Sequence, residues 1–113
     1  MPKLFYASPR DLPTTRPQPG VTERTLRGQM VTVRSTDLAA RTVIETHKHE
    51  DERLGIVMHG SIAMVIAGEQ RILTEGDTYT VPAGASHGIR VLEQGAQVIE
   101  VSGAVPADPK APA

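Results

Sequence analysis

The sequence predicts an all-β fold, a sandwich or barrel built as a single domain. Three observations predict it. From Gly28 to Gly103, apolar and β-branched residues recur in short runs, several of them alternating with polar residues. Glycine- and proline-centred turn signals separate the runs at regular spacing. No stretch carries a helical period of useful length, and the one candidate, Asp37–Arg41, is too short to matter. The chain of 113 residues is one domain, since domains typically run to about 100–150 residues.

The elements follow in chain order. Residues 1–27 read as an N-terminal arm and irregular segment, punctuated by Pro9, Pro13, Pro17 and Pro19. Within it, Lys3–Tyr6 holds most of the aromatic content and suggests an arm that docks on the body or on a neighbouring subunit. Residues 28–103 read as the barrel. Strands are predicted at Gln29–Ser35, Thr42–Thr46, Ile56–Met58, Ser61–Ala67, Gln70–Thr74, Thr78–Val81, Ile89–Leu92 and Gln97–Val101. Turns are predicted at Gly60, Gly68-Glu69, Glu75-Gly76-Asp77, Pro82-Ala83-Gly84 and Gln94-Gly95. Residues 104–113 form a Pro/Ala-rich tail with Pro106, Pro109 and Pro112. Met30 and Met58 are expected in the core. No repeat of the period that a propeller or solenoid needs is present.

Composition narrows the function. Lys and Arg number 12 against 13 Asp and Glu, a net charge of −1, which argues against a nucleic-acid partner. Aromatics are only 3%, too few for a base-stacking platform or a wide sugar cleft. The absence of cysteine excludes disulfides, thiolate metal sites and a cysteine nucleophile. No apolar run approaches the roughly 18 residues that span a membrane, and no secretory h-region is visible. The expected location is therefore cytoplasmic, by default.

Four histidines remain: His47, His49, His59 and His87. His47 and His49 are two apart near the end of a predicted strand, so their side chains share one face. Two imidazoles on one face are half of a metal site. His87 follows the Pro82-Ala83-Gly84 turn at the start of another strand. His59, beside Gly60, is expected to face solvent.

The residues around these histidines carry a family resemblance. The stretch HKHEDERLGIVMHG, His47 to Gly60, and the stretch GDTYTVPAGASHG, Gly76 to Gly88, resemble the two signature motifs of the cupin superfamily. His47, His49 and Gly60 fit the first motif. Gly76, Pro82, Gly84 and His87 fit the second, with Val91 where the family usually has Asn. The resemblance runs from about Gly28 to Val101. It implies a cupin β-barrel of jelly-roll type, holding one divalent metal ion through the motif side chains. Fe, Ni, Mn and Zn are all compatible with such a site.

One position departs from the family. The third ligand of the first motif, usually Glu or Gln, falls on Arg53. A guanidinium stays protonated and has no lone pair to offer. It also repels a dication, by about 8 kcal/mol at roughly 4 Å and an effective dielectric near 20. Three arrangements follow. His47, His49 and His87 bind the metal alone, leaving open positions for substrate. Glu52 swings in as a carboxylate ligand, which requires a bulge because it is one residue off strand parity. Or the site is metal-free and binds an anion beside Arg53.

Glu100 lies between Ile99 and Val101 in the last predicted strand. Facing inward, it would serve as a general base; facing outward, it is an edge carboxylate. Tyr79 is expected mainly to pack, and Glu50 and Asp51 to lie in a solvated loop. The resemblance is nearest to small cupins that act on uronate sugars from pectin and alginate breakdown, which carry an acidic residue where Glu100 stands. It implies isomerase or lyase chemistry on a small anionic metabolite bearing a carboxylate or keto group, with Arg53 able to hold a substrate carboxylate. An iron-dependent dioxygenase and a non-enzymatic ligand-binding or sensing domain remain open. Small cupins of this kind usually dimerise, so a homodimer using Lys3–Tyr6 is expected.

Overall fold

The computed structural model describes residues 5–103. A short 3₁₀ turn, Pro9–Asp11, precedes eight strands. They are β1 (Thr14–Gln18), β2 (Val21–Arg27), β3 (Val31–Leu38), β4 (Val43–His47), β5 (Arg53–Ile66), β6 (Glu69–Thr74), β7 (Thr78–Val81) and β8 (His87–Gly103). Every pairing is antiparallel. Hydrogen-bonded neighbours run β1-β2-β3-β8-β5-β6, with β4 also on β8 and β7 also on β5. The result is the all-β jelly-roll barrel that the sequence predicts.

The segment up to residue 27 is more regular than its prolines suggest. It contains β1 and β2, and β2 pairs with β3 along its whole length, from Val21↔Leu38 to Arg27↔Thr32. Val21 and Thr25 are buried. The inward positions of β2 are Val21, Glu23 and Thr25, a mixed set that hides the alternation. Pro17 is tolerated because β1 is an edge strand, and its ladder slips between Thr15 and Gln18.

Two predicted turns are bends inside long strands. β5 runs straight through Gly60, and β8 through Gln94-Gly95. Gly60 and Gly95 have φ of +76° and +70° and sit against each other. A Cβ on Gly60 would lie 1.9 Å from the Gly95 carbonyl oxygen. Ladder irregularities flank the contact, between Val57 and His59 and between Gly60 and Ile62. These bulges let β5 and β8 bend and serve two walls of the barrel. The first half of β5 pairs with the last half of β8, beside β3; the second half pairs with the first, beside β4.

The core gathers Val57, Ile62, Met64, Val81, Val91 and Val98, with Val21, Leu38 and Tyr79. Val91, which stands at the family's Asn position, is 1% exposed and purely apolar in role. The methionine in the core is Met64. Met30, expected inside, is 81% exposed, because it lies in the connection between β2 and β3 and not in a strand. Met58 is half-buried. Asp37 and Leu38 belong to β3, so Asp37–Arg41 is not helical. Phe5 and Tyr6 are exposed; Lys3 and the tail from residue 104 lie outside the described residues.

Candidate metal centre

β4 and β8 bring the histidines together. His47 ends β4, His87 opens β8, and the two are ladder partners. His49 follows in the loop to β5. The backbone N–H of Gly84 donates to the His49 carbonyl at 2.8 Å, tying the two histidine-bearing segments to each other. The rings of His47 and His87 lie 4.2 Å apart, those of His47 and His49 4.7 Å, and those of His49 and His87 5.0 Å. One nitrogen from each falls within 4.8 Å of the others.

The donor set fits a metal ion. With Nδ1 protonated, His47 donates to the Glu45 carbonyl at 2.8 Å and His87 to the Ala85 carbonyl at 3.2 Å. Such a hydrogen bond fixes the tautomer and leaves the Nε2 lone pair bare for a metal. The Nε2 atoms of His47 and His49 are 3.0 Å apart. Two nitrogens bound to one ion at about 2.1 Å sit about 3.0 Å from each other when at right angles. Burial, then the charge of Arg53 and the two other imidazoles, pushes the His49 pKa down to about 4. Burial also lowers that of His87. His49 and His87 are thus held towards the neutral form, the one that coordinates metal.

Arg53 faces the same interior. Its side chain is only 12% exposed. Nε donates to Asp51 at 3.1 Å and Nη1 to Glu100 Oε1 at 3.1 Å. The second oxygen of Glu100 accepts the Tyr79 hydroxyl at 2.6 Å. Glu100 therefore points inward, with each carboxylate oxygen engaged by a different donor. His47, His49, His87, Arg53, Tyr79 and Glu100 all line one cavity of about 410 Å³, together with the apolar side chains of Val21, Leu38, Ile44 and Val98.

Glu52 does not join them. It is exposed, because strand parity at the start of β5 sends Arg53 inward and its neighbour outward. The three converging groups among the described residues are histidines alone. His59 faces solvent, 3.9 Å from Glu75. Asp51, expected in a solvated loop, instead holds Arg53. Its place two residues before an inward arginine was the available signal. Tyr79 packs as expected but also reaches Glu100, a contact that depends on cross-strand pairing and has no local trace in the sequence.

Comparison with known proteins agrees with the fold. A stretch of 55 residues is 40% identical to the pectin degradation protein KdgF of Dickeya dadantii (strain 3937), covering 48% of this chain and 50% of that protein. The match thus spans half the length of that curated relative. The fold superposes on KdgF from Halomonas sp. with a TM-score of 0.78 at 23% identity, covering 88% of this chain and 92% of that one. It superposes on an RmlC-like cupin from Shewanella frigidimarina NCIMB 400 with a TM-score of 0.83 at 17% identity, covering 94% and 96%. Oxalate decarboxylase from Bacillus subtilis gives 0.76 at 24% identity, over 87% of this chain and 29% of that one. The cupin domain pattern matches residues 34–101, more than half of the sequence. The chain belongs to the cupin domain family.

Proposed function

We propose that this cupin is a metal-dependent enzyme acting on a small metabolite that carries a carboxylate or keto group, by isomerase or lyase chemistry of the kind sugar acids undergo. One observation carries the reading. Three imidazoles converge in the same cavity as an inward carboxylate, Glu100. The partial likeness to a pectin degradation protein supports a sugar-acid substrate. The Mn(II) centres of the Bacillus subtilis oxalate decarboxylase support a metal in such a barrel.

In this reading His47, His49 and His87 hold one divalent ion. The ion supplies Lewis-acid polarisation of a substrate oxygen. Glu100 accepts a proton from the substrate on a lone pair that Arg53 and Tyr79 leave unused. Those two donors fix its orientation, which is what makes a general base effective. Val21, Leu38 and Val98 give the cavity apolar surface for the substrate's carbon skeleton. We further read the exposed Phe5 and Tyr6 as part of a homodimer contact.

Elemental analysis of the untagged protein, followed by an activity screen on unsaturated uronates and keto acids, tests the proposal. One zinc, nickel or manganese per chain with turnover of such an acid supports it. Iron with oxygen uptake would replace it by a dioxygenase, a reading that the three-histidine set with no carboxylate ligand also suits. A chain without metal, binding small acids unchanged, would reduce it to a ligand-binding domain.

A further inference from the structure

One outer face of the barrel is apolar at its centre. In β3, β5 and β8 the residues Thr32, Gly55, Val57, Val98 and Ser102 are buried and point inward. Their neighbours along each strand therefore point out of the barrel. Ladder pairing aligns those neighbours in rows that cross five strands. One row runs Leu26, Val33, Val101, Leu54 and Thr80, over β2, β3, β8, β5 and β7. The next runs Arg24, Ser35, Ile99, Ile56 and Thr78 over the same strands. Leu26 and Leu54 are 51% and 47% exposed, and the apolar residues between them are half-buried.

β5 and β8 are thus apolar on both sides. Val57 and Val98 fill the core, while Ile56, Ile99 and Val101 look away from it. An antiparallel strand with one solvated face alternates apolar with polar residues, and a strand apolar on both sides is one covered on both. At the spacings of a sheet the two rows span roughly 24 Å by 14 Å, a patch of the size that marks an interaction surface. A standard dimer contact buries about 800 Å² on each partner, with an apolar centre and a polar rim. The rows supply the centre, and a polar row of Thr22, Asp37, Gln97 and His59 borders it. Charge and symmetry point to the occupant. Arg24 and Asp37 pair with each other at 2.8 Å, so these rows offer little to a charged partner. The apolar row reads Leu-Val-Val-Leu from either end, so a two-fold axis at its centre matches it to itself, as an isologous contact requires.

We propose that two copies of this chain meet on this face, sheet against sheet, about a two-fold axis between β3 and β8. The inference rests on the homodimer read above and moves the centre of its contact from Phe5 and Tyr6 to Leu26 and Leu54. Arg53 and Glu100 precede Leu54 and Val101 on the same strands and face the other way, into the cavity. The contact therefore covers neither site.

Sedimentation velocity and light scattering of the full chain over a range of concentrations test it. Wild type should run at twice the 12.1 kDa of one chain. Leu26→Glu and Leu54→Glu put a charge into the contact and should each raise the dimer dissociation constant by about thirtyfold or more, as loss of a central anchor does. Ile72→Glu is the control. Ile72 is 52% exposed but lies on β6, outside these rows, and its substitution should leave the dimer whole. Far-ultraviolet circular dichroism checks the fold of each variant, and Leu54→Ser carries the test should the glutamate variants not fold. A monomeric wild type overturns the proposal and the homodimer reading together. A dimer that survives Leu26→Glu and Leu54→Glu overturns the proposal alone, and its loss on Phe5→Ser with Tyr6→Ser would then give the contact to the N-terminal arm.

Discussion

Tyr79 donates its hydroxyl to Glu100 across the backbone of Gly55. Gly55 is the ladder partner of Tyr79 on one side and of Glu100 on the other. With no side chain in between, the phenol ring lies over the glycine and reaches the next strand but one. A base on β8 is thus oriented by a residue on β7, and the strand that separates them contributes only a gap.

The ionisation of Tyr79 should report this contact. Burial raises its pKa above the ordinary value of about 10, and the charge and hydrogen bond of Glu100 raise it further. Because the folded state keeps a proton that the unfolded state loses, the stability gained is complete below about pH 10 and is lost as pH climbs beyond it. The chain has two tyrosines and no tryptophan, so Tyr6→Phe leaves Tyr79 as the sole strong chromophore. Ultraviolet titration of that variant should show no phenolate until well above the ordinary value. Adding Glu100→Gln should bring the ionisation down. An ordinary titration in the parent variant would mean that Tyr79 does not reach Glu100.

Gly55→Ala tests the gap itself. A Cβ at this position would lie 2.1 Å from Tyr79 Cζ and 2.4 Å from its hydroxyl oxygen. The ring is 7% exposed and enclosed by core, so it cannot step aside freely. The expected cost is about 1–3 kcal/mol of overpacking, read by urea denaturation. Tyr79→Ala in the same chain should relieve most of that increment, since it removes the atoms that collide. Additive losses in the double variant would place the strain elsewhere.

The histidine cluster predicts a pH window. His49 has its pKa pushed down to about 4, against about 6.5 for an ordinary imidazole, and that of His87 is lowered too. The unfolded chain therefore binds more protons than the folded one between those values. Stability of the metal-free protein should be constant above about pH 6.5 and fall as pH drops towards 4. Denaturation midpoints measured across that range check it. His49→Ala should flatten the slope. A wild-type midpoint that stays level would show that the pKa values of His49 and His87 are not lowered by the fold.

The barrel was legible because its periodicity is local. Alternating apolar residues in β5 and β8 and the Pro82-Ala83-Gly84 turn declare themselves within a few positions. Gly60 and Gly95 misled because a glycine with positive φ serves a turn and a bulge equally well, and only the facing strand distinguishes them. The three histidines were legible from two short motifs. Arg53 shares strand parity with the buried Gly55 and Val57, which turns it inward. What parity could not reveal was the far end of each contact. That Arg53 meets Glu100, that Tyr79 meets the same carboxylate, and that Arg34 meets Ser102 all depend on register between distant strands.

Arg53→Gln separates the two effects of the residue that departs from the family pattern. In the folded chain its guanidinium joins Asp51 to Glu100, with side chains 12% and 18% exposed for Arg53 and Glu100. Removing it leaves Glu100 with Tyr79 alone and Asp51 without a partner. The metal-free protein should lose about 1.5–3 kcal/mol, the worth of hydrogen bonds to charged groups. Metal binding should change in the opposite direction. The substitution removes a positive charge from the cavity and supplies a neutral oxygen at the position where cupins place their third ligand. Calorimetric titration with zinc should therefore show tighter binding to Arg53→Gln than to wild type. Arg53→Met removes the charge without adding a donor, so its zinc affinity should lie between the two. Opposite signs for stability and metal affinity are the signature of a cation that serves the protein's own carboxylates at the expense of the metal. If Arg53→Gln loses stability yet binds zinc no better, the arginine is a structural clamp too far from the histidines to oppose a metal.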